Sequence, residues 1–158
     1  MADKNIKLQL SDSSWLAKLT ADAMKKSKRS GVIILMGSIY GHVAQDLNIY
    51  KGIKDMRENM PYTIIKSGIS GLTKQMASYY GKYNIRINTI SPGGLVGHVK
   101  GIKQKQNIKF LKQYSLKVPL KRLGKASEVA TACVFLSSEA ASYITGIDLL
   151  VDGGWTVI

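Results

Sequence analysis

The sequence predicts an α/β protein in which a parallel sheet of about three strands is covered by helices on both faces. Stretches with apolar residues at helical spacing alternate with short apolar runs rich in branched side chains, in the order helix, strand, helix, strand, helix, strand. The connections between successive strands are long, which favours helices on both faces of the sheet. With 158 residues, the chain is long enough for one domain with a hydrophobic core and too short for two.

The first predicted helix and strand occupy the first 37 residues. Residues 13–28 have apolar side chains at helical spacing, with Ser11-Asp12-Ser13 as candidate caps and Gly31 as the end of the helical zone. The residues Val32 to Met36 form a continuous apolar run between glycines, which is typical of a strand buried on both faces. Residues 39–61 are mixed in character and predict a loop.

The second half of the chain repeats the alternation. Its predicted elements are a helix from Pro61 to about Tyr80 stopped by Gly81, a strand over 86–90 broken by Ser91-Pro92-Gly93-Gly94, a weakly amphipathic helix over 103–114, a helix capped by Ser127, and a last strand over 147–151 preceded by Gly146.

The formal net charge of +13 raises the question of a nucleic-acid or membrane partner. However, the lysines are scattered, there are only four arginines, and no RNA-binding aromatic signature or paired Cys/His spacing is present. We therefore interpret the charge as a solvated surface and predict no nucleic-acid partner, no membrane partner and no metal site. The N-terminus lacks a signal-peptide core, and the lone Cys133 is expected to be a buried, inert thiol. These features predict a soluble, cytoplasmic protein.

A tyrosine followed four positions later by a lysine places a phenol and an ammonium one turn apart on the same helix face. The ammonium favours the ionised phenol, as general acid/base chemistry requires. The spacing occurs twice, at Tyr50/Lys54 and at Tyr62/Lys66. Only the second pair precedes a helix with small residues, at 67, 68, 70 and 71, and only this pair has a Ser-Pro-Gly turn about thirty positions downstream. We therefore assign the chemistry to Tyr62/Lys66.

The stretch from Tyr62 to Ala77 closely resembles the active-site helix of short-chain dehydrogenases/reductases. Three further stretches are similar to that family: 31–41, which ends a strand at Ser38; 119–124 followed by Glu128; and 135–155. The resemblance runs from about residue 6 to residue 158. It implies that the chain is a single C-terminal portion of a Rossmann-like, doubly wound domain.

The resemblance implies a role for each matching residue. Tyr62 would exchange the proton at the substrate oxygen while hydride moves to or from the nicotinamide of NAD or NADP. Lys66 would support Tyr62 and bind the nicotinamide ribose, and Ser38 would polarise the substrate carbonyl or hydroxyl. Pro92, Gly93 and the backbone at Leu95 would line the nicotinamide. The alternatives are a strand-end cap for Ser38, a surface pair for Tyr62/Lys66 and a plain turn for Gly93-Gly94.

The sequence also departs from the family pattern. Gln9 occupies the place of the usual tetrad asparagine, and Gly97 that of a threonine which contacts the cofactor. The interval over 39–61 is longer than usual and resembles a subgroup associated with surface-sugar and flagellin-modification pathways. This implies a sugar-related substrate.

The glycine-rich turn that receives a dinucleotide pyrophosphate is missing near the start of the sequence. The first predicted strand is therefore expected at an exposed sheet edge. The chain alone is expected to have little activity and to bind NADH or NADPH more weakly than an intact family member. Two functions remain open: an oxidoreductase of small hydroxyl or carbonyl substrates, which the family implies to be a homo-oligomer, or a non-catalytic oligomerisation module.

Overall fold

The central sheet consists of three parallel strands, as the sequence predicts. A computed structural model describes residues 2–53, 59–97 and 106–158. The strands are β1 (Gly31–Met36), β2 (Ile85–Pro92) and β5 (Asp148–Val151), in the order β1-β2-β5. Gly31 pairs with Ile85 and Met36 with Ile90, whereas β5 pairs with β2 from Thr89 onwards. A second parallel pair joins β3 (Leu95–Val96) to β4 (Gly124–Lys125).

The first helix begins earlier than predicted and is continuous. α1 (Ala2–Ile6) passes through a π-helical turn (Lys7–Ser11) into α2 (Asp12–Lys26). The prediction that Ser11-Asp12-Ser13 caps this helix is wrong. Ser11 already has helical backbone angles, so the helix continues through this position and does not begin there. The helix ends at Lys26, before Gly31. Two residues later, Lys28 has a left-handed φ of 54°.

The helix that carries Tyr62 follows the prediction closely. α3 (Met60–Tyr80) begins after Asn59, whose side chain accepts a hydrogen bond from the Tyr62 backbone N–H. Pro61 lies in its first turn, as expected. Strand β2 is longer than predicted, because Ser91 and Pro92 continue the pairing with β5.

The remaining elements differ from the prediction mainly at their ends. The segment 39–61 contains two 3-10 turns, Ile39–Gly41 and Leu47–Tyr50, and Lys54 lies outside the described residues. α4 spans Ile108–Lys117, whereas the predicted start at 103–105 also lies outside the described residues. The last strand begins one residue late, at Asp148.

The cap of α5 (Ala126–Ser137) is not Ser127, which lies inside the helix. The Glu128 carboxylate instead accepts the Lys125 backbone N–H at 2.7 Å and forms an ion pair with Arg122 at 2.6 Å. These partners stabilise the charged form and lower the pKa of Glu128 to about 2, with the Arg122 hydrogen bond as the main cause.

Helices cover both faces of the sheet, which confirms the doubly wound class. On one face, α2 and α3 pack on Ile33, Ile85 and Ile87. On the other face, α5 packs through Leu136 on Ile34 and Ile90, together with a half-buried Cys133. Within the described residues β1 is an edge strand, as expected. No helix among those residues has the length and apolar character needed to cross a bilayer.

Candidate functional site

A cavity of about 580 Å³ lies at the carboxyl ends of β1 and β2. Five of the six residues assigned to the site from the sequence line it. These are Ser38, Tyr62, Pro92, Gly93 and Leu95. The structure therefore brings together residues that lie as far apart in the chain as Ser38 and Leu95.

Ser38 follows the end of β1 and is buried, with 6% of its surface exposed. Its Oγ accepts a hydrogen bond from the Tyr40 backbone N–H at 3.3 Å, so it also caps the short turn that follows. The hydroxyl hydrogen is left to donate elsewhere. Gly37 is required here, because a Cβ at that position would collide with Ser91 and Thr89 of β2.

Lys66 lies one helical turn after Tyr62, with its Nζ 5.4 Å from the centre of the Tyr62 ring. The same Nζ donates a hydrogen bond to the Met36 carbonyl at 2.9 Å. Burial lowers the pKa of Lys66 below its usual value. Lys66 does not line this cavity. It lines a second groove, the "edge groove", which is formed by the π-helical turn, α2, β1 and α3. The residues that line this groove include Gln9, Leu16, Thr20, Ile33, Ile34, Leu35, Met36, Lys66, Ile69 and Leu72.

The turn after Ser38 rests directly on α3. The Ser67 Oγ donates a hydrogen bond to the Gly41 carbonyl at 3.2 Å. A Cβ on Gly41 would lie 2.9 Å from the backbone carbon and oxygen of Lys66. This close approach sets the separation between the Ser38 turn and the helix that carries Tyr62 and Lys66.

We expect Gly41→Ala to lower the free energy of unfolding by about 1–3 kcal/mol, because backbone atoms of α3 cannot yield to the new methyl group. Urea denaturation measures this change. Gly71→Ala in α3 is the matched control, since nothing lies within 4 Å of its Cβ position. It should be neutral or stabilise the helix. Equal stabilities for wild type and Gly41→Ala would show that the turn does not rest on α3 as described.

The far wall of the cavity is aromatic, a feature that the sequence patterns did not predict. Tyr50 stacks on Phe110 with ring centres 5.8 Å apart, and its hydroxyl lies 3.2 Å from that of Tyr40. Tyr114 stacks on Trp155 at 4.3 Å, and its hydroxyl accepts the Gly94 N–H at 2.6 Å. In the sequence, only the four-residue spacing of Phe110 and Tyr114 indicates that two of these rings lie on the same face of a helix. Tyr50, which was not chosen as the catalytic tyrosine, therefore lines the same cavity as Tyr62.

Two phenols of the aromatic wall, Tyr40 and Tyr114, are largely buried. Burial raises the pKa of Tyr40 well above its usual value and raises that of Tyr114 to about 12. Both therefore stay neutral and act as fixed hydrogen-bonding groups. The side-chain amides of Gln45 and Asn59 also line the cavity. The Gln45 Oε1 accepts a hydrogen bond from the Asn59 backbone N–H at 3.3 Å. Among the described residues, none that lines the cavity carries a charge.

Known proteins similar to this chain identify its family. The family model described as enoyl-(acyl carrier protein) reductase matches residues 3–156 of the chain. The chain belongs to the short-chain dehydrogenase/reductase family. This confirms the family resemblance inferred from the Tyr62 helix and the Ser-Pro-Gly turn.

Individual members of the family match nearly all of this chain. A 3-oxoacyl-(acyl-carrier-protein) reductase from Buchnera aphidicola is 34% identical over 94% of the chain and 55% of the relative. An NADH-dependent L-xylulose reductase from Ambrosiozyma monospora is 31% identical over 98% and 54%. The structure of a short-chain dehydrogenase from Leptospira borgpetersenii with bound NAD+ superposes with a TM-score of 0.87, at 34% identity, over 98% of this chain and 56% of that one. The chain thus spans about half the length of the curated relatives it matches.

Two of the departures from the short-chain dehydrogenase/reductase pattern, at Gln9 and Gly97, have structural counterparts. Gln9 is exposed, lies in the π-helical turn between α1 and α2, and lines the edge groove beside Lys66. Such turns are frequent at functional sites. Gly97 has a φ of 132°, which side chains other than glycine rarely adopt, so a threonine would be strained there. Within the described part of the chain, no cluster of His, Cys, Asp and Glu could hold a metal ion.

Proposed function

We propose that the protein is an oxidoreductase that transfers hydride between NAD or NADP and a substrate hydroxyl or carbonyl group. The observation that carries the proposal is the cavity shared by Ser38, Tyr62 and the Pro92-Gly93 turn, with Lys66 one helical turn behind Tyr62. The bound NAD+ of the Leptospira short-chain dehydrogenase and the NADH dependence of the xylulose reductase support the choice of cofactor.

Tyr62 would donate or accept the proton at the substrate oxygen. The Lys66 Nζ lies 5.4 Å from the centre of its ring, one helical turn along α3. The hydrogen bond to the Met36 carbonyl holds the Lys66 Nζ at the end of β1. Of the other tyrosines in the cavity, Tyr40 and Tyr114 are unsuited to this task, because burial raises their pKa values and so disfavours the phenolate form.

Ser38 would hold the substrate oxygen in place. Its Oγ accepts the Tyr40 N–H, and the hydroxyl keeps its hydrogen to donate to a substrate oxygen. A hydrogen bond from this hydroxyl would stabilise the negative charge that develops on the oxygen during hydride transfer. Ser38 and Tyr62 would thus act on the same oxygen atom.

Pro92, Gly93 and the backbone at Leu95 would line the nicotinamide ring. They form an uncharged wall beside Ser38 and Tyr62. The wall is firmly placed, because a Cβ on Gly93 would lie 2.9 Å from the Asp152 Cα. When bound, the dinucleotide supplies or accepts the hydride. The three donors of the Lys66 ammonium suit a ribose hydroxyl.

The cavity favours a neutral, polyhydroxylated substrate such as a sugar or sugar alcohol. Aromatic rings such as Tyr50 and Phe110 offer flat apolar surfaces, while the amides of Gln45 and Asn59 offer hydrogen bonds. The absence of charged side chains among the described lining residues gives no partner for an anionic group. The similarity to an L-xylulose reductase agrees with this class.

A panel assay tests the proposal. The native polypeptide is isolated from its source cells, its intact mass is measured, and NAD- and NADP-linked turnover is followed with pentitols, ketopentoses and an acetoacetyl thioester. We expect turnover of the polyols or ketoses. Turnover of the thioester alone would contradict the substrate class and leave the oxidoreductase proposal standing. No turnover of any substrate with either cofactor would contradict both.

A second candidate function is a non-catalytic oligomerisation module, because α2 and α3 present large exposed side chains. Trp15 is 61% exposed, Leu19 60% and Tyr79 47%. These residues would contact a second copy in a homo-oligomer. Size-exclusion chromatography with a full-length family member tests this function, which requires co-elution. Separate elution together with nicotinamide-linked turnover would contradict the oligomerisation module and support the enzymatic function.

A further inference from the structure

We propose that His42 is a positioning residue, which fixes the Ser38 hydroxyl for catalysis by anchoring the turn after β1 to the buried carboxylate of Asp148. The role of His42 rests on the proposed oxidoreductase function, since Ser38 acts on the substrate only within that function. Three observations carry it: the hydrogen bonds that meet at Asp148, the burial of its carboxylate, and the short path from His42 to Ser38.

The Asp148 carboxylate joins three segments of the fold. Asp148 is the first residue of β5, and its side chain is only 7% exposed. Its Oδ2 accepts a hydrogen bond from the His42 Nε2 at 2.8 Å and another from the Ser70 Oγ of α3. An ionised carboxylate has no hydrogen to donate, so the His42 Nε2 is the donor, in the neutral imidazole as well as in the imidazolium. The turn after β1, the helix α3 and the strand β5 therefore meet at one oxygen atom.

The carboxylate depends on these two donors. The Asp148 Oδ1 is buried and has no hydrogen-bond partner among the described residues. Within the same part of the chain, His42 is the only basic side chain at ion-pair distance from Asp148. Removing a carboxylate from water is strongly unfavourable unless donors replace the water. Without His42, the neutral hydroxyl of Ser70 would be the only donor left to the Asp148 side chain.

Stability alone does not explain a carboxylate in this strand. The residues that follow Asp148 in β5, from Leu149 to Val151, are all apolar. Apolar residues in place of a buried ion pair often give a protein that is equally stable or more stable. The Asp148 carboxylate is therefore better explained by the groups that it orients, which are the His42 imidazole and the Ser70 hydroxyl.

The path from His42 to Ser38 is short and closed by hydrogen bonds. The 3-10 turn Ile39–Gly41 lies between the two residues. The Gly41 N–H donates to the Ser38 carbonyl at 2.9 Å, and the His42 N–H donates to a carbonyl of the same turn at 2.9 Å. Ser38 and His42 are thus the two ends of one hydrogen-bonded unit, and the bond to Asp148 holds the end at His42.

The anchor at His42 adds what the contact with α3 does not provide. The close approach of Gly41 to α3 sets the distance of the turn from the helix, whereas a second attachment at His42 fixes the angle of the turn about that contact. The angle decides where the Ser38 hydroxyl lies relative to Tyr62, and a misplacement of about 1 Å can lower a rate by about 10²-fold. His42 is not among the residues that line the cavity, so it acts through Ser38 and not on the substrate.

A double-mutant cycle of His42→Ala with Ser38→Ala tests the proposal. We expect His42→Ala alone to lower kcat about tenfold with little change in KM, because the substrate wall is untouched. In the Ser38→Ala background the same substitution should change kcat by less than about twofold, since the hydroxyl that it positions is gone. His42→Gln should restore most of the lost kcat, because a glutamine amide can donate to the same carboxylate.

Hydrogen exchange tests the anchor without any turnover. The N–H groups of Gly41 and Val43 donate to carbonyls of the turn. They should exchange about tenfold faster in His42→Ala, and at nearly the wild-type rate in His42→Gln. Lys117→Ala is the matched control, because it removes an ion pair with Asp46 at the start of the next turn and should leave these amides unchanged. The amides of α5 are the internal reference and should not change in any variant.

Three outcomes would overturn the proposal. The first is the same loss of kcat on His42→Ala with and without the Ser38 hydroxyl, since His42 would then act independently of Ser38. The second is unchanged exchange of the Gly41 and Val43 amides in His42→Ala. The third is faster exchange of the α5 amides to the same extent, which would give His42 a role in global stability only.

The two measurements also separate this proposal from the proposed function. If the wild-type protein turns over no substrate, the oxidoreductase function fails, and the exchange of the Gly41 and Val43 amides alone decides whether His42 anchors the turn. If Ser38→Ala leaves a kcat too low to measure, the recovery of kcat and of slow exchange in His42→Gln decides, and a failure of both to recover would contradict the anchoring.

Discussion

Tyr62→Phe is expected to lower turnover by about 10²–10⁴-fold, which is the usual contribution of a positioned general acid/base. The substitution removes the hydroxyl and keeps the ring, so that the packing at the start of α3 is preserved. We expect kcat to fall while KM changes little, because the phenol acts on the oxygen in the transition state. The measurement is steady-state kinetics on the most active substrate of the panel.

Tyr50→Phe is the matched control for Tyr62→Phe. Tyr50 belongs to the other Tyr-x-x-x-Lys pair and lines the same cavity, but its hydroxyl lies 3.2 Å from the Tyr40 hydroxyl. We expect this variant to keep kcat within about tenfold of the wild type, with its main effect on KM, since only one hydrogen bond in the substrate wall changes. If the two variants lose kcat equally, the assignment of the proton transfer to Tyr62 is wrong.

The largest effect on stability is expected for Leu136→Ala, at about 2–5 kcal/mol. Leu136 is completely buried and packs with Ile90 and Val129 in the core between α5 and the sheet. Its loss leaves a cavity that a small domain cannot fill, and domains of this kind are stable by only about 5–15 kcal/mol. Urea denaturation followed by circular dichroism gives the change in the free energy of unfolding.

Val134→Ala on the same helix is the control for Leu136→Ala. Val134 is 70% exposed, so its truncation should change the stability by less than about 0.5 kcal/mol. If Leu136→Ala is as mild as Val134→Ala, α5 does not pack on the sheet as described.

The candidate site was predictable where it depends on local spacing. Tyr62 and Lys66 are four positions apart on one helix, and helix geometry alone places them one turn apart. Ser38 and Pro92 follow apolar runs, and the carboxyl ends of parallel strands meet at the same edge of a sheet. The structure accordingly finds Ser38, Tyr62 and Pro92 around the same cavity.

Other parts of the site depend on contacts that no sequence pattern encodes. The aromatic wall joins Tyr40 and Tyr50, in turns after β1, to Phe110 and Tyr114, on α4. The Lys66 Nζ lies against the Met36 carbonyl, thirty positions earlier in the chain. The tightness of the Gly41 turn against α3 likewise arises only when the two segments meet.

The sequence by itself determined the α/β class, the parallel strands and the Tyr62–Lys66 pair, because apolar periodicity and fixed spacing are local properties of the chain. Helix starts were less well determined, since Ser127 and the serines near residue 12 have cap-like character, yet Glu128 and the π-helical turn fix the backbone there. The tertiary structure alone decided the aromatic lining of the cavity and the burial that keeps Tyr40 and Tyr114 neutral. It also decided the open edge of β1, because pairing, burial and pKa values depend on which distant segments pack together.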